Sequence, residues 1–349
     1  MMKKVLYICG SHNQTTMMHS ISQELPDFDN YFTPFYADGF INLLQKNRVL
    51  DFTILGGQFR KNAENYLKQY NLKIDYEGSL NDYDLVFTCS DLIVPKNIRN
   101  KRLILVQEGM TDPPGILNNL VKYFKFPRWI AGTSTNGQSD AYDIFCVASE
   151  GYKDFFIKNG IEPRKIKVTG IPNYDNAIQY ANNNFPYKNF VLVATSDLRE
   201  TFKFENRKKF IRQAVEIANG RQMIFKLHPN ERFKRAEKEI MKIAPKGTLV
   251  FHDGNIHEMI ANCDTLITQQ STVVYTGIAL EKEVYSYFDL ESLKRLAPLQ
   301  NNGTSKINIA NVARDLMRYE KHYSIPNKNK LVKQIQENYY IRRIIEKLA

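Results

Sequence analysis

Cysteine is scarce in this chain, with four residues among 349, and no two of them have the C-x-x-C spacing of a metal or redox site. Cys9, Cys89, Cys146 and Cys263 each lie within or beside an apolar run. Widely separated cysteines in apolar surroundings are typical of buried free thiols in a reducing compartment. The sequence therefore predicts a cytoplasmic protein without disulfides or a structural zinc site.

Long hydrophobic runs are missing as well, since no stretch approaches the roughly 20 consecutive apolar residues of a membrane span. The first residues, MMKKVLYICGSHNQ, have the pattern of a strand and loop rather than a signal peptide. No G-x-G-x-x-G motif follows this strand, which argues against a nicotinamide or flavin cofactor. We expect a soluble or peripheral protein.

The length and composition predict two packed domains. A chain of 349 residues exceeds the usual size of a single core, and its 43% hydrophobic content is ample for two. The segment 173–188 is polar and rich in asparagine, which is typical of a hinge. We predict a first domain over residues 1–172, a second over 189–326, and a final helix over 327–349.

Positive charge is concentrated in one region. The formal net charge is +11, and the stretch from Arg199 to Lys246 contains 14 basic and 6 acidic residues. Such a surplus attracts nucleotide-linked substrates, anionic lipids or other polyanions. No nucleic-acid-binding motif accompanies it, so nucleic acid is not an expected partner.

The stretch from Gln222 to Asp289 has the clearest pattern in the chain. Short apolar runs alternate with helix-like segments, which predicts a parallel sheet wound by crossover helices. Ligands of such sheets bind beyond the carboxyl ends of the strands. Polar residues follow three of the runs, at 228–230, 252–255 and 269–272. We therefore predict a binding site at this edge.

Ser271 and Thr272 lie at the predicted start of a helix that continues through Leu280. Free backbone N–H groups, two hydroxyls and the positive end of the helix dipole would favour a phosphate there. The other interpretation is a plain N-cap, because serine and threonine cap many helices.

The first half shows a second set of strands and helices. Strands are predicted at Lys3–Cys9, Asp51–Leu55, Asp84–Thr88 and Leu103–Val106, and the aromatic segment 30–45 is interpreted as a loop and helix. Glu108 follows one of these strands directly, where a partly desolvated carboxylate would serve as a general base. The alternative is a solvated loop acid or a helix cap.

The motifs KLHPN, HDGNIHEMIANCDTLIT and QSTVVYTGIALEKEVYSYFD resemble the C-terminal half of the CDP-glycerol glycerophosphotransferases and of the wider GT-B glycosyltransferases. The UDP-N-acetylglucosamine 2-epimerases share this layout, and Glu108-Gly109 is similar to their Glu-Ala-Gly segment. The glycerophosphotransferases have His-Gly at the equivalent position. The resemblance implies a GT-B fold, with two Rossmann-like α/β domains facing a cleft and a C-terminal helix that crosses back to the first domain.

The resemblance also implies transfer of a sugar or polyol phosphate from a nucleotide-activated donor to a saccharide or lipid-linked acceptor, in bacterial cell-surface polysaccharide synthesis. Glu108 would be the base, and His228 would stabilise the leaving phosphate. The expected donor-binding residues are Thr195, Ser196, Arg199, Asn230, Asp253, Asn255, Gln270, Ser271 and Thr272. The expected acceptor-side residues are Ser11, His12, Asn13 and Asp112. Neither a cofactor nor a metal is expected.

Several alternatives remain open from the sequence. The protein could be an isomerase of the 2-epimerase type, or a non-catalytic scaffold that keeps the fold. His228 could be structural and His12 a surface turn residue, while His257 is expected on the exposed face of a helix. Leu117–Ile130 interleaves aromatic and basic residues, which suits a membrane headgroup region at the inner face of the plasma membrane. A partly buried helix with a basic face is the other interpretation.

Overall fold

The computed structural model describes residues 2–51, 53–111, 135–139, 141–200 and 204–318. Its strands form two sheets, one of six strands and one of five, and every strand pair is parallel. The described residues up to 311, which include both sheets, form one compact unit. Parallel strands need crossover connections, and helices supply most of them here.

The first sheet has the strand order β2-β1-β3-β4-β5-β6. Its strands are β1 (Lys4–Cys9), β2 (Asp29–Pro34), β3 (Leu85–Thr88), β4 (Arg102–Val106), β5 (Ile144–Val147) and β6 (Ile166–Val168). The described helices around it are α1 (His12–Gln23), α2 (Gly39–Lys46), α3 (Gly57–Gln69) and α4 (Glu150–Lys158). The central strands are apolar runs buried on both faces, as parallel sheets require.

The second sheet has the order β11-β10-β7-β8-β9. Its strands are β7 (Val191–Ala194), β8 (Met223–Lys226), β9 (Leu249–Phe251), β10 (Thr265–Thr268) and β11 (Glu283–Tyr285). The helices are α5 (Arg207–Ala218), α6 (Phe233–Met241), α7 (Ile256–Asn262), α8 (Val274–Ala279), α9 (Leu290–Leu296) and α10 (Ser305–Arg318). The ends of β8, β7 and β10 are consecutive along the sheet, so their loops share one edge.

One predicted strand is wrong. The described residues of 51–55 form turns and bends. The reason is local, because the Asp51 carboxylate accepts the Gly57 N–H at 3.1 Å and the Thr53 hydroxyl accepts the Leu55 N–H at 3.2 Å. Polar side chains that bond nearby backbone in this way compete with a sheet ladder. The strand pairing with β1 comes instead from β2, in the segment that the sequence interpretation assigned to a loop and helix.

Helix α8 joins the two sheets. Val274 and Tyr275 belong to the apolar core of the first sheet, although the helix lies between strands of the second. The Tyr275 hydroxyl lies 2.8 Å from the buried Tyr152 hydroxyl, which accepts the Thr111 N–H at 3.3 Å. The first turn of α8, just after β10, is therefore held against the loop that follows β4.

Three predictions fall outside what the structure describes. They concern Asp112, the membrane contact Leu117–Ile130 and the final helix over 327–349, all of which lie outside the described residues. Within the described part of the chain, no helix has both the length and the apolar character needed to cross a membrane. The domain boundaries at 172 and 189 stay a prediction, although the chain passes from the first sheet to the second between Val168 and Val191.

Candidate functional site

Glu108 follows β4, and its neighbour Gln107 fixes the loop on which it lies. The buried Gln107 side chain donates to the Gly109 carbonyl at 2.8 Å and accepts the Ala148 N–H at 2.9 Å. These bonds tie the end of β4 to the end of β5. Glu108 is half-buried and lines a cavity of about 320 Å³.

Two donors from the start of α1 hold the Glu108 carboxylate. The Ser11 hydroxyl donates to one oxygen and the Gln14 amide to the other, both at 2.6 Å. Ser11 also caps α1 by accepting the Gln14 N–H, and a Cβ at Gly10 would lie 1.9 Å from the Gln14 amide oxygen. Because a carboxylate has about four lone-pair positions, the two bonds leave room for a substrate hydroxyl.

One residue in the wall of this cavity comes from the loop after β10 of the second sheet. Thr272 lines it together with Glu108 and Tyr174. A Cβ at Gly109 would lie only 2.9 Å from the Thr272 methyl carbon, so glycine permits this close approach. Burial raises the pKa of Tyr174, with a smaller contribution from the negative charge of Glu108, while a hydrogen bond with Thr272 opposes the rise. The cavity thus brings together groups from both sheets.

Ser271 and Thr272 do not cap α8. The helix begins at Val274, the N-cap position is Val273, and no side chain makes a capping bond there. Both side chains are half-buried. Their hydroxyls therefore make no N-capping bond to α8. Binding of a phosphate by these hydroxyls stays a prediction.

His228 follows β8 with a ring that is 37% exposed. Its Nδ1 accepts the Asn230 N–H at 3.2 Å and lies 3.6 Å from an Asp197 carboxylate oxygen. Asp197 also accepts from the Asn230 side chain at 2.8 Å. In a neutral imidazole, an accepting Nδ1 places the proton on Nε2, which is then a donor for a ligand.

The buried Glu231 carboxylate, which the sequence analysis did not identify, bonds the backbone N–H of His228. Glu231 accepts the His228 N–H at 3.0 Å and also bonds the Thr195 hydroxyl and the Arg207 guanidinium. The Glu231 and Arg207 side chains are 0% and 4% exposed. Charged residues in this basic stretch suggest a solvated surface, and only the fold shows that these two are buried together.

Arg199, predicted to hold donor phosphate, has several carboxylate partners. Its guanidinium lies 3.1 Å from Glu205, 3.0 Å from Glu239 and 3.9 Å from Glu231. Ion pairs of this kind order the loop after β7. Nearby, the Ser196 hydroxyl donates to the Gln270 carbonyl at 3.4 Å, which ties the loops after β7 and β10 together.

The remaining predicted residues occupy separate positions. Asp253 is exposed, with a carboxylate oxygen 3.1 Å from the ring of His252, and Asn255 caps α7 by accepting the His257 N–H. Asn13 lines the Glu108 cavity, and the exposed His12 ring packs edge-on against Tyr66.

The expectation of an exposed His257 is wrong. The ring stacks on Tyr180 with centroids 4.8 Å apart, and its Nδ1 lies 2.9 Å from the Thr276 hydroxyl. Burial lowers the pKa of His257 to about 4. The segment around Tyr180, which the sequence places in a hinge, covers this face of α7, so helix periodicity alone could not show that the face is occupied.

Neither protein-family models nor curated proteins match this sequence. Solved structures do match. A UDP-GlcNAc 2-epimerase from Neisseria meningitidis bound to UDP-GlcNAc superposes with a TM-score of 0.54 at 12% identity, over 89% of this chain and 100% of that one. A putative UDP-N-acetylglucosamine 2-epimerase from Listeria monocytogenes gives 0.52 at 14%, over 92% and 89%.

A variant of the wall teichoic acid polymerase TagF superposes with a TM-score of 0.47 at 11% identity, over 90% of this chain and 89% of that chain. The epimerase superpositions, at such low identity, show the fold alone. The GT-B fold predicted from the resemblance, with two parallel α/β sheets, is confirmed.

Replacing Glu231 by alanine should destabilise the protein by about 3–5 kcal/mol, because it removes the buried carboxylate that bonds Arg207, the Thr195 hydroxyl and the His228 N–H, and leaves Arg207 with Glu205 alone. Urea unfolding followed by circular dichroism measures this loss. Glu216→Ala, which removes an exposed carboxylate of α5, is the matched control and should change stability by less than about 0.5 kcal/mol. Equal small effects of both substitutions would contradict the buried network.

His257 makes stability depend on acidity in a defined window. The folded state keeps the ring neutral down to a pKa of about 4, whereas the unfolded chain binds a proton below about 6.5. Stability is therefore fully present above pH 6.5 and falls as the pH drops toward 4. His257→Gln should reduce this acid-induced loss in the free energy of unfolding by up to roughly 3 kcal/mol. Urea unfolding at several pH values measures the difference. His12→Gln, at an exposed site, should leave the slope unchanged.

Proposed function

We propose that this protein is a transferase that moves a sugar, or a sugar-like polyol phosphate, from a nucleotide-activated donor to an acceptor hydroxyl. The observation that carries the proposal is the Glu108 carboxylate, held by Ser11 and Gln14 in a cavity whose other wall contains Thr272. Such transfers require a base on the acceptor side and stabilisation of the leaving phosphate on the donor side.

On the acceptor side, Glu108 takes the proton of the attacking hydroxyl. Its two protein donors restrict the carboxylate to one orientation, which reduces the entropic cost of aligning the acceptor. Asn13 lines the same cavity and offers an amide to the acceptor. The acceptor oxygen then bonds to the electrophilic carbon or phosphorus of the donor.

On the donor side, the bond to the leaving phosphate breaks and its electron pair goes to the phosphate oxygen. The Nε2–H of His228 and the hydroxyls of Ser271 and Thr272 stabilise the resulting charge. These residues follow β8 and β10, which flank β7 at the same sheet edge. The basic surplus from Arg199 to Lys246 attracts the anionic donor to this edge.

An isomerase acting on a UDP-sugar is the second candidate. It is favoured by the superposition on UDP-GlcNAc 2-epimerases and by a carboxylate at the end of β4. Inverting a carbon that carries hydrogen requires proton removal on one face and proton delivery on the other, so it needs two acid–base groups. Transfer needs one base, and Glu108 supplies it.

The two candidates differ in what they need for turnover. A thermal-shift screen against UDP, CDP, CMP, GDP and dTDP identifies the nucleotide, and product analysis with the matching activated sugar follows. The transferase releases nucleotide only when an acceptor is present, whereas the isomerase converts a UDP-sugar alone. If the folded protein binds no nucleotide, this result would favour a scaffold and overturn the proposal.

Glu108→Gln should lower turnover at least 10²-fold, because the amide keeps the size of the side chain but cannot take a proton. Nucleotide affinity should stay within about twofold, since the change lies on the acceptor side. Steady-state nucleotide release and isothermal titration calorimetry measure the two quantities. Glu150→Gln, at an exposed position of α4, is the control and should preserve both. Full activity of Glu108→Gln would rule out this base.

His228→Ala should lower turnover by about 10²–10³-fold, because it removes a donor to the leaving phosphate. Its melting temperature should change little, since the ring is partly exposed and Glu231 holds the backbone N–H rather than the ring. His252→Ala provides a matched control at the end of the neighbouring strand β9. Unfolding of the His228 variant under conditions where the control stays folded would mark the ring as structural.

A further inference from the structure

A second cavity, of about 210 Å³, shares part of its wall with the Glu108 cavity. Ile54, Ser90 and Leu92 line both, and this second cavity is called the apolar pocket below. Its remaining wall comes from Phe35 after β2, helix α2, the turns that follow it and Ile93. The apolar pocket therefore lies directly beside the Glu108 cavity.

The walls of the apolar pocket select against polar groups. Eight of the ten lining residues are apolar, and the other two, Thr53 and Ser90, each carry one hydroxyl. The Thr53 hydroxyl donates to the Leu50 carbonyl at 2.8 Å, and the Ser90 hydroxyl accepts the Leu92 N–H at 3.4 Å. Because both hydroxyls already bond nearby backbone, the apolar pocket offers a polar ligand few hydrogen-bond partners in exchange for the water that it loses.

One broad side of helix α2 is apolar. Ile41 and Leu44 line the apolar pocket, while Phe40 and Leu43 are 72% and 56% exposed. Since Phe40 and Leu44 are four positions apart, they are neighbours on the helix surface, and the exposed apolar surface continues directly from the pocket. A surface that extends beyond the pocket fits a flexible alkyl chain better than an isolated ring.

We propose that the acceptor is an amphiphile whose alkyl chain occupies the apolar pocket while its hydroxyl lies at Glu108. This inference rests on the proposed transferase function and names the class of its acceptor. An engineered apolar cavity of roughly 150 Å³ takes up benzene. A pocket of about 210 Å³ therefore has room for a short alkyl segment. A longer chain would leave the pocket at α2, where Phe40 and Leu43 are exposed.

The test uses methyl, butyl, hexyl, octyl and phenyl β-D-glucosides as probes, below their micelle concentrations. Equilibrium binding to the full chain is measured by calorimetry, and each probe is then offered as acceptor in the nucleotide-release assay. Burial of each added methylene should tighten binding about fourfold until the pocket is full. The Michaelis constant of any probe that serves as acceptor should fall in parallel.

Leu44→Trp should fill the apolar pocket and abolish the dependence of binding on chain length. Leu43→Trp places the same bulk on the exposed face of the same helix and should preserve that dependence in the pocket. Ile41→Phe is a second filling variant, needed where circular dichroism shows that Leu44→Trp is misfolded.

Binding that does not depend on chain length in the wild type, or that keeps its dependence in both filling variants, would overturn the proposal. Tighter binding of phenyl than of hexyl glucoside would assign the pocket to an aromatic group and overturn the alkyl assignment. Failure of the transferase proposal gives a different result, which is no nucleotide release with any donor. The binding series needs no donor, so it still decides whether the apolar pocket takes an alkyl chain.

Discussion

The close approach of Gly109 to Thr272 is the constraint on which the proposed site depends. Any Cβ at position 109 would lie 2.9 Å from the Thr272 methyl carbon, so a larger residue would push the two loops apart. A few residues further on, the Tyr152 hydroxyl on α4 links the loop after β4 to α8, because it accepts the Thr111 N–H and bonds the Tyr275 hydroxyl. As a result, Glu108 from the loop after β4 and Thr272 from the loop after β10 line the same cavity.

The sequence was sufficient for the parts of the fold that depend on short apolar runs and their spacing. The strands of the second sheet, the polar residues at their ends and the position of Glu108 after β4 follow from periodicity and from the rule that parallel strands end at one edge. One wrong prediction has a local cause. At 51–55, the side chains of Asp51 and Thr53 bond the backbone and form turns, although the apolar content resembles a strand.

Other features could not be predicted because they depend on which segments meet. Glu231 and Arg207 are 24 positions apart in a stretch that looks like a solvated basic surface, yet both are buried. His257 lies on a short helix whose outer face is covered by Tyr180, from a segment with the composition of a hinge. The pairing of Glu108 with Gln14 joins positions 94 residues apart, and no local pattern indicates it.

The buried network also changes how the positive charge is understood. Arg199 and Arg207 are counted in the basic surplus. Their charges are neutralised by Glu205, Glu231 and Glu239, and these ion pairs order the loop after β7. The charge that reaches solvent comes instead from exposed side chains such as Lys208, Lys209 and Lys234. Their attraction for an anionic donor acts at long range and is screened by salt. For the proposed donor, we therefore expect local recognition of the phosphate to come from hydroxyls, backbone N–H groups and His228. In that proposal, the chemistry depends on a few neutral donors that the buried ion pairs hold in position.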